Sequence, residues 1–201
     1  GGVLACQLAR SPKVKGLLTL AANPSFIARP HWPWAMAPEL LQQFQEIFAS
    51  DPQATQSRFN QLQAQGHSER KALLTTVKNL APPIQAAAWS EALNWLGQID
   101  NSRLLAQLNI PQRHLFAEQD ALVPVAAALH CAHSRRIAGG HLLPLVAGEA
   151  INQALSELDR AQNRTVAKAF SQAAGVYDQH AQLQQRLGRQ LITQLPPAQL
   201  Q

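Results

Sequence analysis

Two residues carry the strongest chemical signal in the chain: Asp120, in the stretch EQDALVP, and His141, in AGGHLLP. An imidazole that takes a proton from a nucleophile needs a carboxylate behind it, to fix its tautomer and to balance the charge it gains. An acid followed about twenty residues later by a histidine suits that pair. Taken singly, each is weak. An Asp ahead of a helix commonly caps it, and a His after two glycines is more often a loop residue. His130-Cys131-x-His133 has metal-ligating residue types, but two His and one Cys within one helical turn make a poor ligand set. Surface or boundary residues are the simpler reading, and no metal is expected.

Arg58, Arg70, Lys71 and Lys78 set four positive charges against the single negative charge of Glu69. The plain reading is a solvated helix surface. The sharper one is a docking site for an acidic carrier protein, with Arg offering forks to phosphate or carboxylate and Lys adding point charge.

The elements that must position these residues follow from periodicity. Residues 1–10 place Leu4 and Leu8, with Ala5 and Ala9 beside them, at helical spacing. The run from Val14 to Ala22 is nearly all apolar, as in a strand buried on both faces of a parallel sheet. From about 29 to 108 the pattern is helical. Leu40, Leu41, Phe44, Ile47 and Phe48 make one face, and Phe59 and Leu62 begin a second. Leu73, Leu74 and Val77 begin a third, and Ile84, Trp89, Leu93 and Leu96 form a fourth. All four tryptophans (Trp32, Trp34, Trp89, Trp95) fall in this segment, which has the character of a helical lid over a site.

A strand is predicted at Arg113–Ala117, then the Asp120 loop, a helix over about 125–133, a short edge at 135–137, the His141 loop, and a helix over about 148–160. Beyond Gln162, Asn163 can cap a new helix carrying Val166, Ala169, Phe170 and Ala173. Leu183, Leu187, Leu191 and Leu195 then form a stripe that ends at Pro196-Pro197.

Composition narrows the function. Apolar residues make up 46% of 201, enough for a core, and charged residues only 14%. A net charge of +5 without a basic run or an aromatic-basic stripe argues against nucleic-acid binding. The longest apolar run is too short to cross a membrane. Cys6 and Cys131 lack CxxC spacing and fit reduced thiols, so a cytoplasmic location is expected.

Strand, acid loop, helix, strand, histidine loop, helix is the order in which an α/β hydrolase presents the last two members of its triad. The first, a serine in a G-x-S-x-G turn, is absent: Ser25 and Ser134 have other neighbours. Gly1-Gly2 followed by a helix resembles the end of such a turn, which would put the nucleophile two residues before Gly1. The chain alone is therefore expected to hydrolyse nothing. With the first half of the sheet missing, it is also expected to expose strand edges and to dissolve poorly.

GGVLACQLA, VKGLLTLAANPSFIAR, HWPW, FAEQDALVP and AGGH resemble the esterases of biotin synthesis that cleave the methyl ester of pimeloyl-acyl carrier protein. The resemblance spans residues 1 to about 160. It implies the C-terminal part of an α/β-hydrolase sheet with an all-helical lid, Asp120 and His141 as catalytic acid and base, and lid residues Arg58, Arg70 and Lys71 contacting the carrier protein. Gly140 before His141 and Leu142-Leu143 after it depart from the commoner form.

Residues 164–201, with the run AF-x-x-AA-x-x-YD-x-HA-x-LQ, resemble the opening of malonyl-acyl carrier protein O-methyltransferases. That resemblance implies the N-terminal helices of a class I methyltransferase using S-adenosylmethionine, with the cofactor turn beyond this segment; these helices would help close the substrate side, with Tyr177 and His180 the residues to watch, or form a helical cap with Tyr177 packed at its edge. Fused, the two would serve the first and last steps of one pathway on one acidic carrier. The alternatives are another lidded esterase or lipase-like hydrolase, and a non-catalytic hydrolase-like domain that docks the carrier.

Overall fold

The computed structural model describes residues 1–180. A first compact unit spans Gly1–Asp159, and a second begins at Arg160. At the centre of the first lies a parallel sheet of three strands, β1 (Leu17–Leu20), β2 (Gln112–Ala117) and β3 (Ser134–Ile137), with β2 in the middle. Leu17 lies opposite Gln112 and Leu20 opposite Leu115, while His114 lies opposite Ser134.

The apolar run from Val14 to Ala22 yields only four residues of strand. The Val14 N–H turns back to the Ser11 carbonyl at 3.0 Å, and Ala21 takes the left-handed φ of 47°, which an extended strand cannot continue.

Both faces of the sheet are covered, as a parallel sheet requires. On one face, Leu17 and Phe116 pack with Cys6 of α1 (Gly2–Leu8) and its C-cap Ala9, Leu105 of α6 (Ser102–Gln107) and Ala127 of a 3-10 turn (Val125–Leu129). On the other, Leu115 and Ala117 pack with Leu143 of α7 (Leu143–Val146) and Ala154 of α8 (Gly148–His180).

α1 presents a different face from the one its leucines suggest. Leu4 is 48% and Leu8 67% exposed, whereas Cys6 and Ala9 are buried. The small residues face inward because the helix lies close to the sheet: a Cβ on Gly2 would collide with the Ala22 side chain.

The helix expected over 125–133 is confined to the short 3-10 turn, and His133, at φ 61°, redirects the chain into β3. α8 does not stop near residue 160. Residues 149–174 contain neither glycine nor proline, so nothing breaks the helix, and Asn163 lies inside it instead of capping a new one. The leucine stripe from Leu183 to Leu195 lies outside the described residues. α8 is tied to the sheet by Glu157, which accepts from Arg113 Nε of β2 and from an Arg135 guanidinium N–H of β3, both at 2.7 Å.

Most of the segment expected as the lid folds into four helices, α2 (Pro38–Ser50), α3 (Pro52–Ala64), α4 (Arg70–Leu80) and α5 (Ala86–Gln98), called the lid helices below. Prolines open α2 and α3, and Asp51 caps α3 by accepting the Ala54 N–H at 2.9 Å. Ile84 precedes α5. The segment expected as the lid ran to 108 and so takes in α6, which packs against α1. Asn101, at its start, donates to the Val3 carbonyl and accepts from Gln7 Nε2, both in α1.

Candidate active site

β2 and β3 are neighbouring parallel strands, so the loops leaving their C-terminal ends emerge side by side. Asp120 follows β2 and His141 follows β3. Asp120 Oδ1 accepts the backbone N–H groups of Leu122 (2.8 Å) and Val123 (3.0 Å). That leaves Oδ2 to accept from His141 Nδ1 at 2.9 Å. The Asp120 side chain is fully shielded and that of His141 is 24% exposed.

With Nδ1 donating, Nε2 carries the free lone pair, which is the state a general base needs. No serine hydroxyl among the described residues bonds His141. Ser25 donates to the Ile27 carbonyl and accepts from Arg29 Nε, and Ser134 donates to the Ala128 carbonyl.

A cavity of about 490 Å³ reaches the loop just after Asp120. Phe44, Phe48, Phe59, Trp89, Leu93 and Leu96 of the lid are among its walls, and Ala121 and Leu122, next to Asp120, close one part of it. Phe48 stacks on Trp89 with ring centroids 6.0 Å apart, and Phe44 meets Phe59 edge-on at 6.1 Å. Only one tryptophan belongs to the lining. Trp32 is buried, with its indole N–H given to Asn23 Oδ1, Trp34 stacks on His130 at 3.3 Å, and Trp95 is exposed.

The basic residues separate into two groups. Arg58 is exposed on α3 and also lines the cavity. Arg70 and Lys71 are exposed in the first turn of α4, where positive charge opposes the helix dipole.

Cys131 is buried, while His130, with its ring on Trp34, and His133 are exposed residues. Among the described residues no cluster of His, Cys, Asp and Glu could hold a metal. Burial raises both thiols, Cys6 to about 11 and Cys131, with Cys6 adding to the effect, to about 12, so both stay protonated. The side chains of Tyr177 and His180 lie outside the description.

Sequence reasoning missed His67, in the turn between α3 and α4. Its Nε2 lies 3.1 Å from the Leu142 N–H and its Nδ1 3.4 Å from the Gly140 N–H. Burial pushes its pKa below the ordinary value; the charge of Asp120 opposes the fall and His141 adds to it. The Gly66-His67 pair after an amphipathic helix was the available signal, but it marks a turn and not what the turn touches.

The folds of known proteins agree with this architecture. An esterase from Exiguobacterium antarcticum superposes with a TM-score of 0.64 at 20% identity, covering 78% of this chain and 62% of that one. A bromoperoxidase from Bacillus anthracis gives 0.65 at 15% identity, covering 80% and 64%. The chain has the α/β-hydrolase fold.

Sequence relatives narrow this. The chain is 39% identical over 213 residues to the Biotin biosynthesis bifunctional protein BioHC of Cellvibrio japonicus, across 98% of this chain and 42% of that protein. The counterpart in Saccharophagus degradans is 42% identical, across 88% and 34%. The pimeloyl-[acyl-carrier protein] methyl ester esterase of Klebsiella pneumoniae is 36% identical across 62% of this chain and 50% of its own length. No family model matches. The chain is thus homologous to the bifunctional biotin biosynthesis proteins and fits a segment of such a fusion. It spans less than half the length of these bifunctional relatives. The single-function esterase leaves over a third of the chain unaligned, while the bifunctional proteins cover nearly all of it.

Among the described residues, no helix is long and apolar enough to cross a membrane.

Proposed function

We propose that the whole protein is a serine carboxylesterase that removes the methyl ester from pimeloyl-acyl carrier protein in biotin synthesis. The observation that carries this reading is the apolar cavity that runs from the helices over 38–98 to Leu122, two residues after the carboxylate that holds His141. A linear acyl chain suits such a cavity, because its walls offer contact without demanding polar partners.

In the proposed reaction a serine two residues before Gly1 attacks the ester carbonyl, and His141 Nε2 takes the serine proton. Backbone N–H groups stabilise the oxyanion, methanol leaves with the proton from His141, and an acyl-serine remains. His141 then draws a proton from water, which attacks the acyl-serine. The free acid is released and the serine regains its proton. Asp120 stays ionised throughout, holding Nδ1–H and balancing the imidazolium.

The domains follow: residues 1–160 belong to the hydrolase, and 164–201 to the opening helices of a malonyl-acyl carrier protein O-methyltransferase. That enzyme would use S-adenosylmethionine. The described residues past Arg160 are helix alone, without a strand ending in a glycine-rich turn, so none is assigned to the cofactor.

Arg58, Arg70 and Lys71 are assigned to the acidic carrier. Positive charge at the start of α4 weakens the helix that bears it, which favours a role toward a partner over one in stability. A working place in the cytoplasm goes with such a partner.

The test is reversal of Arg70 and Lys71 to Glu in the full-length protein, since Arg58 also lines the cavity. KM for the carrier-linked ester should rise about tenfold or more, with p-nitrophenyl butyrate hydrolysis unchanged. Equal loss on both substrates would remove the carrier from the reading.

A further inference from the structure

The turn joining α3 to α4 is wedged between the two loops that hold Asp120 and His141. Gly66 takes φ 83°, and a Cβ there would strike the Gln119 carbonyl. A Cβ on Gly140 would strike the Gln65 carbonyl, and one on Gly139 would meet the His67 ring at 3.3 Å. Gly66 and Gly140 allow backbone to approach backbone where any side chain would hold it off, and Gly139 leaves room for the ring.

The contact continues into a small core. Leu142, the residue after His141, is buried with Ala64 of α3 and Leu73 of α4, and Leu74 and Val77 pack around them. The chain on either side of His141 is therefore held by the lid hairpin as well as by the sheet.

Polar contact fixes the remaining freedom. Two amides point at the His67 ring, and a neutral imidazole can accept only one of them. The shorter is Leu142 N–H to Nε2, at 3.1 Å against 3.4 Å for Gly140 N–H to Nδ1. Accepting at Nε2 places the ring proton on Nδ1. A protonated ring could accept neither amide and would bring a positive charge beside His141, where Asp120 is the opposing charge. The neutral ring is the one that fits.

We propose that His67 is a positioning residue for His141: it accepts the Leu142 N–H and fills the space over Gly139 and Gly140, locking the base to the lid hairpin. This rests on the esterase reading above. Lid and base then form one mechanical unit, and a hairpin that shifts on loading the cavity carries the imidazole with it.

The experiment uses the full-length protein, with His67→Phe to keep bulk but remove the acceptor, and His67→Gln to supply an oxygen acceptor that does not titrate. The readouts are kcat and KM for p-nitrophenyl butyrate between pH 5 and 8 (about that range, around the ordinary histidine value) and hydrogen exchange at the Leu142 amide. His67→Phe should lower kcat about tenfold or more with little change in KM, and should speed Leu142 exchange, because a buried donor loses its partner. His67→Gln should keep kcat within about threefold, since its acceptor replaces the lost one. Its acid limb should be shallower than that of the native protein, one titrating group having gone.

Native kcat and native Leu142 protection in His67→Phe would overturn the proposal. If that variant does not fold, acidification decides. Leu142 protection should fall with pH in the native protein and persist in His67→Gln, and identical behaviour in the two would overturn it. The exchange readout does not depend on activity, so a protein without esterase activity would defeat the esterase reading while leaving this contact measurable.

Discussion

In β2, Leu115, Phe116 and Ala117 are each 1% exposed and divide between the two helical layers that cover the sheet. In α5 (AAAWSEALNWLGQ), no residue is buried, although the helix is largely apolar. Trp89, Leu93 and Leu96 of α5 turn toward the cavity instead. The sheet's apolar residues find their partners within the protein. Those of α5 do not, and what they lack is the shape of a ligand.

The contrast can be broken or sharpened by substitution in the full-length protein. The largest effect belongs to the loops between the two regions. In Asp120→Asn the amide oxygen can still accept Leu122 and Val123, but the amide nitrogen would face His141 Nδ1 and favour the wrong tautomer. kcat should fall by about 10⁴-fold on every ester with little change in melting temperature. A loss below about tenfold would remove Asp120 from the reaction.

In the sheet, Phe116→Ala should cost about 3–5 kcal/mol in urea unfolding, the usual cost of emptying a large buried site. A cost under about 1 kcal/mol would erase the distinction drawn between sheet and lid.

His114 gives a pH-dependent version of the sheet's side. Gln112 uses its amide nitrogen on the Leu105 and Leu108 carbonyls, so its oxygen accepts from His114 Nε2 at 3.3 Å. His114 Nδ1 is then left to accept from the Thr19 hydroxyl at 2.8 Å. Burial, with the charges of His133 and Arg113, lowers this pKa to about 4. The folded pKa lies below the unfolded one, so the neutral ring's contribution is complete above pH 6.5 and is lost as pH falls toward 4. That loss is roughly 3 kcal/mol. His114→Gln should flatten the fall in unfolding free energy across this window, and an unchanged slope would show that other groups set it.

The smallest stability effect is expected in the lid. Leu93→Ala should cost under about 1 kcal/mol, because its contacts are incomplete to begin with. KM for long-chain esters should nonetheless rise several-fold while short esters are spared. A cost like that of Phe116→Ala would mean that the cavity wall is core.

Asp120 and His141 were legible because chain order and flanking strands place them, and both cues are local. The lid's four helical faces were legible for the same reason, each being one amphipathic period. What escaped was set by approach between distant segments. Leu4 and Leu8 outweigh Cys6 and Ala9 in any periodicity count, yet Cys6 and Ala9 are the ones that pack with Leu17 and Phe116. His67 has no local pattern at all; its meaning lies in Gly140 and Leu142, more than seventy residues away. Three of the four tryptophans turned from the cavity because an indole N–H or a neighbouring ring claimed them, or because they lie on the outer surface.

The Arg29 guanidinium donates to the carbonyls of Gly97 and Gln98, both at 3.0 Å, as well as to Ser25. One side chain thus joins the place where the chain leaves the body to the place, 68 residues on, where it returns. With its ends fastened, the intervening chain can lengthen or shorten at little cost: doubling a closed loop adds only about 0.6 kcal/mol of closure entropy. Evolution could exchange one set of helices for another across that fastening, changing what the cavity accepts while the strands below keep their register.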